Sequence, residues 1–202
     1  MSDNTTNTSP SLQPPGMGLP KIELLIARVL VGVQLRITSQ EKARNNFLRE
    51  HQEILSIIGG VTPELASKRV LIDRLRGLED SSRFWSLYMT IEHLRIVNRS
   101  TINVINSLSK GIKPQVVVST AAVKPREDIG DTVVPLFRAV CEEFESAFTS
   151  ETNLKSETTL AHPWFGELNA QQWHFFAGFH MSLHKKQLLR IKERLTNNSK
   201  EK

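Results

Sequence analysis

The strongest helical pattern in the sequence lies near its carboxyl-terminal end. Between residues 170 and 195, apolar and aromatic side chains recur at steps of three and four, the spacing that places them on one face of an α-helix. Two histidines, His180 and His184, fall on this face one turn apart. The stripe consists of Trp173, Phe176, Ala177, His180, Leu183, His184, Gln187, Leu188, Ile191 and Leu195. We therefore expect a long helix that turns both histidines toward a core.

Three signals agree on where this helix starts. Asn169 is a favourable N-cap residue, and Gln172 stands three positions later, where a capping box places its second member. Leu168 and Trp173 occupy the two positions of a hydrophobic staple. We predict that the helix begins directly after Asn169.

The first part of the chain predicts another helix, or two. Pro20 suits a first helical position, and apolar residues follow it at helical spacing, which predicts the first helix of a bundle. These residues are Ile22, Leu25, Ile26, Val29 and Val33. The pattern resumes up to Ile58 and stops at Gly59–Gly60, and it leaves open a break at Gly32 or at Thr38–Ser39.

A short helix and a long central helix are expected next. Residues 62–64 supply a cap, a proline for the first position and an early acid, and Gly77 closes the short helix. The long helix, from about residue 83 to residue 108, carries two adjacent apolar stripes, which is typical of a central helix. One stripe consists of Phe84, Tyr88, Ile91, Leu94, Ile102 and Ile105, and the other of Trp85, Met89, His93, Ile96 and Ser100. We expect His93 to point inward.

The remaining segments complete an all-α chain. Residues 113–131 contain prolines and a valine-rich stretch and predict a long crossover, and residues 133–148 predict a further helix. A polar stretch and a turn at residues 162–166 lead into the last helix. No segment shows sustained alternation with a period of two, which argues against a sheet. The predicted fold is a four-helix bundle with one extra short helix and one long crossover.

The composition is that of one soluble domain. Of the 202 residues, 39% are hydrophobic and 23% are charged. We expect a disordered tail over residues 1–19, a helical domain over residues 20–196 and a flexible tail over residues 197–202. The first tail lacks the basic start and apolar stretch of a signal peptide. The most apolar run, residues 22–35, contains charged residues and falls short of a membrane span.

Cysteine content and charge narrow the classes of function. The single cysteine, Cys141, excludes an intramolecular disulfide and a multi-cysteine zinc site, and its apolar neighbours predict burial. This fits a reducing compartment, and we expect a cytoplasmic protein. The formal net charge of +5 is spread along the chain without an arginine-rich block, so nucleic-acid binding is only weakly motivated.

Three histidines form the strongest candidate site. The pair His180 and His184 can chelate a metal, and His93 would supply a third ligand from another central helix. Neutral imidazoles suit zinc, nickel, iron or copper, and three protein ligands leave a position open to water or substrate. The alternative is that the three are core histidines with hydrogen-bond partners, because a pair at this spacing also arises by chance among six histidines.

We assign no catalytic residue from the sequence. Glu92 projects about 100° around the helix from the histidine beside it and is expected at the surface, whereas Tyr88 and Gln187 lie nearer the predicted site. The remaining histidines are expected outside the site, with a turn-packing role for His162 and solvent exposure for His174 and His51.

Together these motifs resemble those of the DinB-like superfamily, in particular a branch of uncharacterised proteins. The shared features are an inward histidine after a Trp-Ser start, a His-Pro-x-x-Gly segment, a tryptophan and His-x-x-x-His-x-x-Gln on the last helix. The likeness spans about residues 65–195. It implies an up-down-down-up four-helix bundle and a divalent metal held by His93, His180 and His184, with Gln187 one turn beyond.

The resemblance also suggests an activity. Superfamily members with a known role include thiol-dependent transferases and isomerases, in which the metal activates a low-molecular-weight thiol. Lys185 departs from the branch, which commonly has a further histidine at that position. The leading hypothesis is a cytoplasmic enzyme that uses zinc, nickel or iron, a thiol-dependent transferase or hydrolase acting on a small molecule. The alternative is a non-catalytic helical-bundle interaction protein, metal-stabilised or metal-free, with an exposed face that forms a homodimer.

Overall fold

The structure is a computed structural model that describes residues 10–200, with side chains described up to residue 197. The described chain is mainly helical, which confirms the predicted helical bundle. Its helices are α1 (Lys21–Ile37), α2 (Gln40–Gly59), α3 (Pro63–Ala66), α4 (Leu87–Ser109), α5 (Val133–Ala147) and α6 (Ala170–Lys200). Two strands, β1 (Leu160–His162) and β2 (Gly166–Leu168), and two short 3₁₀ turns, Asp80–Ser82 and Ala121–Val123, complete the elements.

Four of the helices form a closed ring around one core. Helix α2 packs against α5 and α6, and α4 packs against the same two helices. The core is filled mainly by large apolar side chains from all four, and the rings of Phe47 and Phe144 stack across it at 3.9 Å between centroids. Because α6 contacts both α2 and α4, side chains on more than one of its faces are buried.

Helix α1 lies outside this ring, so the prediction that it is the first bundle helix is wrong, and α2 takes that place. The apolar stripe that predicted its packing faces solvent: Ile22 is 77% exposed and Val29 is 60% exposed. A different face, which includes the buried Val31, lies against the body, and Arg28 Nε donates a hydrogen bond to the Trp164 carbonyl at 2.6 Å. The helix has two apolar faces, and periodicity alone does not indicate which one is buried.

The break between α1 and α2 falls at Thr38–Ser39, one of the two positions left open by the sequence. Ser39 is extended, and its hydroxyl accepts a hydrogen bond from the Lys42 amide at 3.2 Å. This N-cap starts a new helix, whereas Gly32 stays within α1.

The predicted short helix that closes at Gly77 is much shorter in the structure. It ends at Ala66, and the chain then runs alongside the segment before α4: the Val70 amide donates to the Trp85 carbonyl at 3.3 Å. β-branched residues favour such an extended path. The central helix therefore begins at Leu87, where the Ser86 hydroxyl accepts from the Met89 amide at 3.1 Å, and residues 80–82 form a 3₁₀ turn before it.

A small antiparallel hairpin precedes α6, which corrects the expectation of no sheet. Strands β1 and β2 pair with His162 opposite Gly166, and the intervening turn requires a positive φ of 76° at Gly166. Three residues per strand are too few to produce a recognisable alternation. The hairpin holds His162 beside α6, whose N-cap box is confirmed by reciprocal 3.0 Å hydrogen bonds between Asn169 and Gln172.

The described parts of the two predicted tails are ordered elements of the structure. Residues 1–9 lie outside the described residues, but residues 10–19, which we call the strap, lie against the segment before α4. The amides of Gly16 and Gly18 donate to the Glu79 carboxylate at 3.1 and 3.0 Å, and the Gln13 amide donates to Asp80 at 2.9 Å. At the other end α6 continues to Lys200, into the range expected to be flexible. No helix among the described residues has the length and apolarity needed to cross a membrane.

Candidate metal centre

Two packed helices bring the three predicted histidines together. His93 projects from the second turn of α4, and His180 and His184 project from successive turns of α6, which packs against α4. One ring nitrogen of each residue can be chosen so that all three lie within 4.8 Å of one another. The Nε2 atoms of His93 and His180 are 3.2 Å apart. These positions could hold one metal ion.

The tautomer of His93 is fixed by a backbone carbonyl. Its Nδ1 lies 2.8 Å from the carbonyl oxygen of Val123, in the 3₁₀ turn of the crossover. A carbonyl oxygen only accepts, so Nδ1 carries the proton and donates. The Nε2 lone pair of His93 is left free, and this arrangement orients an imidazole for metal binding.

A two-step relay fixes the tautomer of His184. The side-chain Nε2 of Gln187 donates to the Ser82 carbonyl at 2.7 Å, which determines the orientation of the Gln187 amide. Its Oε1 therefore faces the Nδ1 of His184 at 2.7 Å and accepts a hydrogen bond from it. His184 is thus left with a free lone pair on Nε2, and Gln187 supports the ligand from outside the site.

His180 is held differently from the other two histidines. Its Nδ1 is buried and has no hydrogen-bond partner among the described residues, and its ring lies against Phe176 at 5.7 Å. Its Nε2 faces the lone pair of His93 at 3.2 Å. Two lone pairs repel at this distance, so either a proton on His180 or a shared cation must lie between the two nitrogens.

Burial keeps all three imidazoles neutral. Burial is the main cause that lowers the pKa of His93 to about 4, and it lowers the pKa values of His180 and His184 well below 6.5. Charge repulsion from neighbouring histidines adds to this effect for His180 and His184. A neutral imidazole is the form that binds metals, so no proton has to be removed from these ligands near neutral pH.

The triad lies at the wall of a cavity of about 140 Å³. The indole of Trp85 stacks parallel to His184 at 6.2 Å and lies 5.3 Å from the ring of His93. The wall is mostly apolar and carries six aromatic side chains, Trp85, Trp164, Phe165, Trp173, Phe176 and Phe179. A molecule in this cavity would be next to the three histidines and against mainly apolar side chains.

Two other residues considered from the sequence lie away from this wall. Tyr88 is buried in the core, but it is not among the residues that line the cavity. Glu92, expected at the surface, is buried, and both of its carboxylate oxygens accept from Arg95, at 2.6 and 2.9 Å. Both oxygens of the Glu92 carboxylate are therefore engaged in the ion pair with Arg95.

The prediction that His174 and His51 are solvated is wrong. His174 is 0% exposed, and its ring lies 5.3 Å from that of Phe144 and 5.9 Å from that of Phe148. His51 is buried beside Phe137, and its Nδ1 lies 2.6 Å from Glu145. Both residues face the interior of the four-helix ring, apart from the triad.

His162 packs in the turn as predicted, and it also lines the cavity, which the sequence did not indicate. Its Nδ1 accepts from the Trp164 amide at 3.1 Å, and its ring lies 4.4 Å from that of Phe176. Burial lowers its pKa to about 4. The His-Pro-x-x-Gly segment singled out His162 in the sequence, but the position of His162 near the triad depends on the hairpin, which the sequence did not predict.

Lys185, which differs from the branch that the sequence motifs resemble, has a structural role away from the triad. Its ammonium group forms ion pairs with Glu50 at 2.7 Å and with Glu53 at 2.5 Å, so it ties α6 to α2. Glu50 is buried and needs this positive charge. The three-histidine arrangement is therefore independent of the departure.

Cys141 is fully buried, as its neighbours predicted. The side-chain amide of Asn98 lies 3.6 Å from its sulfur, and burial raises the pKa of the thiol. A buried thiol of this kind is inert, so the sulfur chemistry of a thiol-dependent reaction would have to come from the substrate.

Comparison with known proteins leaves the family open. No protein-family model matches the chain, and no curated protein matches it. A solved structure described as the crystal structure of TT2238, a four-helix bundle protein, is similar at 21% sequence identity and a TM-score of 0.48, and the match covers 75% of this chain and 98% of that chain. The fold assignment given above depends on the helix packing in this chain.

Proposed function

We propose that the chain is a divalent-metal-dependent enzyme of the DinB-like type, with His93, His180 and His184 as the metal ligands and zinc, nickel or iron as the metal. The observation that carries the proposal is the convergence of three neutral imidazoles, with ligand atoms within 4.8 Å, on the wall of a cavity. The proposal includes the up-down-down-up helix arrangement of that superfamily.

The donor set suits the chemistry proposed. A divalent metal held by three imidazoles supplies a Lewis acid that lowers the pKa of a coordinated water or thiol toward neutrality. The protein would hold His93 and His184 in the tautomer that offers Nε2, through Val123 and Gln187 respectively. Trp85 would limit water around the ligands. These features favour transfer to or from a thiol, or hydrolysis, on a small molecule.

The test is the metal content of the full chain, purified without a histidine tag and analysed by elemental mass spectrometry. We expect close to one zinc, nickel or iron per chain, and at least a tenfold loss in His184→Ala, because two imidazoles hold a divalent ion far less firmly than three. His174→Phe is the matched control, since it removes another buried histidine of α6 and leaves the triad intact. Metal-free wild-type protein, even after incubation with each metal, would refute the enzyme proposal.

The outward face of α1 favours an additional interaction function. Seven large aliphatic side chains of this helix are between 47% and 77% exposed: Ile22, Leu25, Ile26, Val29, Leu30, Val33 and Ile37. Together they present an apolar area on the order of 800 Å², about what each partner of a standard dimer buries and more than a typical monomer exposes in one patch. We propose that a second copy of the chain covers this face in a homodimer.

Sedimentation equilibrium of the wild type and two α1 variants tests the dimer. We expect wild-type protein to be dimeric at micromolar concentrations and Val29→Lys to be monomeric, because the substitution buries a charge at the centre of the interface. Gln34→Lys adds the same charge to an exposed polar position of α1 and should remain dimeric. A monomeric wild type contradicts the dimer, and its binding to anionic lipid vesicles would assign the face to a membrane surface.

A further inference from the structure

The cavity beside the triad restricts what the protein can accept. Resting on the function proposed above, we propose that the substrate is a small molecule without a cationic group, with an apolar body about the size of one aromatic ring and a single donor atom that reaches the metal. The size of the cavity, the charged side chains on its wall and its other polar groups support this class.

The size of the cavity corresponds to one ring. Its volume is about 140 Å³. An apolar protein cavity of roughly 150 Å³ takes up benzene, so a single ring with a short substituent fills a space of this size. A molecule with about twenty non-hydrogen atoms, such as a tripeptide thiol, would have to leave most of its atoms outside.

The wall of the cavity carries few charged side chains. Among the described residues that line the cavity, Glu79 and Lys124 are the acidic and basic side chains other than histidines. Glu79 already accepts from Gly16, Gly18 and the Thr120 hydroxyl, at 3.0 to 3.1 Å. Lys124 is exposed to solvent. A substrate ammonium inside the cavity would lose its hydration without gaining a free acidic partner, whereas an anionic donor atom would have the metal as its partner.

Besides the triad, the wall carries one further imidazole, that of His162, and six serine and threonine residues: Ser81, Ser82, Ser100, Thr101, Ser119 and Thr120. Because Nδ1 of His162 accepts from the Trp164 amide, a neutral His162 carries its proton on Nε2. That N–H suits a neutral acceptor, such as an ether, carbonyl or hydroxyl oxygen. The other contacts come mainly from aliphatic side chains and aromatic rings, and the rings favour an apolar and planar body.

Three probes separate the ligand classes. The full chain, prepared both zinc-loaded and stripped with a chelator, is titrated with toluene, phenylmethanethiol and glutathione, and binding is followed by tryptophan fluorescence and by the thermal midpoint. We expect toluene to bind both forms. Phenylmethanethiol should bind the zinc form at least tenfold more tightly than toluene does, and glutathione should bind at least tenfold more weakly than phenylmethanethiol.

Metal content, measured on the same samples, separates this inference from the function on which it rests. Stoichiometric metal with no binding of toluene, or with glutathione bound more tightly than phenylmethanethiol, overturns the substrate class and leaves the metal site standing. Toluene binding without any metal uptake overturns the proposed enzyme and supports the size and polarity assigned to the cavity.

A pair of variants on α4 locates the binding. Val97 lines the cavity one turn after His93, so Val97→Phe places a ring in the space. Ile96→Phe adds a ring at the neighbouring position, which does not line the cavity. We expect Val97→Phe to weaken toluene binding at least tenfold with unchanged metal content, and Ile96→Phe to keep both. Equal toluene affinity in the two variants would place the ligand elsewhere and defeat the proposal.

Discussion

Helix α6 buries histidines in two contrasting ways. His174, near its start, lies among the rings of Phe144 and Phe148, and neither of its ring nitrogens has a hydrogen-bond partner among the described residues. His180 and His184, two turns further on, approach the third histidine of the triad from α4. Burial lowers the pKa of the histidines in both places, so a shifted pKa does not distinguish a site from a packed core.

The arrangement of neighbouring polar atoms does distinguish the two places. The imidazole of His174 packs against its neighbours as an apolar ring would. Its two nitrogens have no hydrogen-bond partner among the described residues, which lowers the stability of the folded state. At His184, the chain uses the Gln187 side chain and the Ser82 carbonyl to decide which nitrogen carries the proton. His93 and His184 each have an acceptor at Nδ1 and leave Nε2 for the other histidines of the triad, and this combination marks them as candidate ligands.

Replacing His174 by phenylalanine should give the largest change. Its pKa of about 4 in the folded protein lies below the unfolded value of 6.5, so only the unfolded chain binds a proton between these values. The free energy of unfolding of the wild type therefore falls as the pH drops from 6.5 to 4, by up to about 3 kcal/mol from this residue. His174→Phe should remove that part of the acid sensitivity and gain about 1 kcal/mol at pH 7.

Urea unfolding at pH 7, 5.5 and 4.5 measures this difference, with metal removed from both proteins so that the triad does not contribute through binding. The other buried histidines remain in both proteins, so the informative quantity is the change in pH dependence between them. Parallel curves for the two proteins would mean that His174 is protonated or hydrated in its pocket, and the contrast with the triad would be lost.

At the triad, removing the hydrogen bonds that hold His184 from outside the site should have a smaller effect, and it should appear in the metal affinity. Gln187→Met keeps a similar volume but takes away both the acceptor for Nδ1 and the donor to Ser82. We expect metal affinity to fall 10- to 100-fold, the usual effect of losing such a support, with the three ligands still present. Competition with a chelating dye measures this directly.

Gln171→Met is the matched control, because it makes the same change in the first turn of α6, away from the triad. It should leave metal affinity within about twofold of the wild type, the scatter expected for a surface change of this kind. If Gln187→Met binds metal as tightly as this control, the hydrogen bonds of Gln187 do not support metal binding, and the residue only fills space in the core.

Sequence periodicity located the triad because each ligand lies on a strong helical stripe. The spacing of His180 and His184 fixes their common face, and the position of His93 on a central helix predicts its inward direction. That the three meet is confirmed by their positions, while metal binding stays a prediction. The hydrogen bonds that fix the tautomers of His93 and His184 could not be predicted from the sequence, because Val123 and Ser82 take part through backbone carbonyls that any residue type could supply.

The wrong predictions about which helix faces are buried share one physical cause. A single stripe describes a helix with one buried face, but α6 contacts α2 and α4 and buries a broad surface that includes His174. Helix α1 is the opposite case: its strongest stripe, around Val29, is exposed, and a second face with Val31 is buried. Which face a helix buries depends on its neighbours, and those contacts join residues far apart in the sequence.

The strap has a consequence for the timing of ligand exchange. Pro15 and Leu19 from this segment form part of the cavity wall, and the amides of Gly16 and Gly18 both hold on to the single Glu79 carboxylate. The strap can leave the wall at this point only when both hydrogen bonds break, so a ligand that exchanges along this side would do so at a rate linked to opening of the strap. Glu79 would then influence how fast a ligand exchanges as well as how the strap is held.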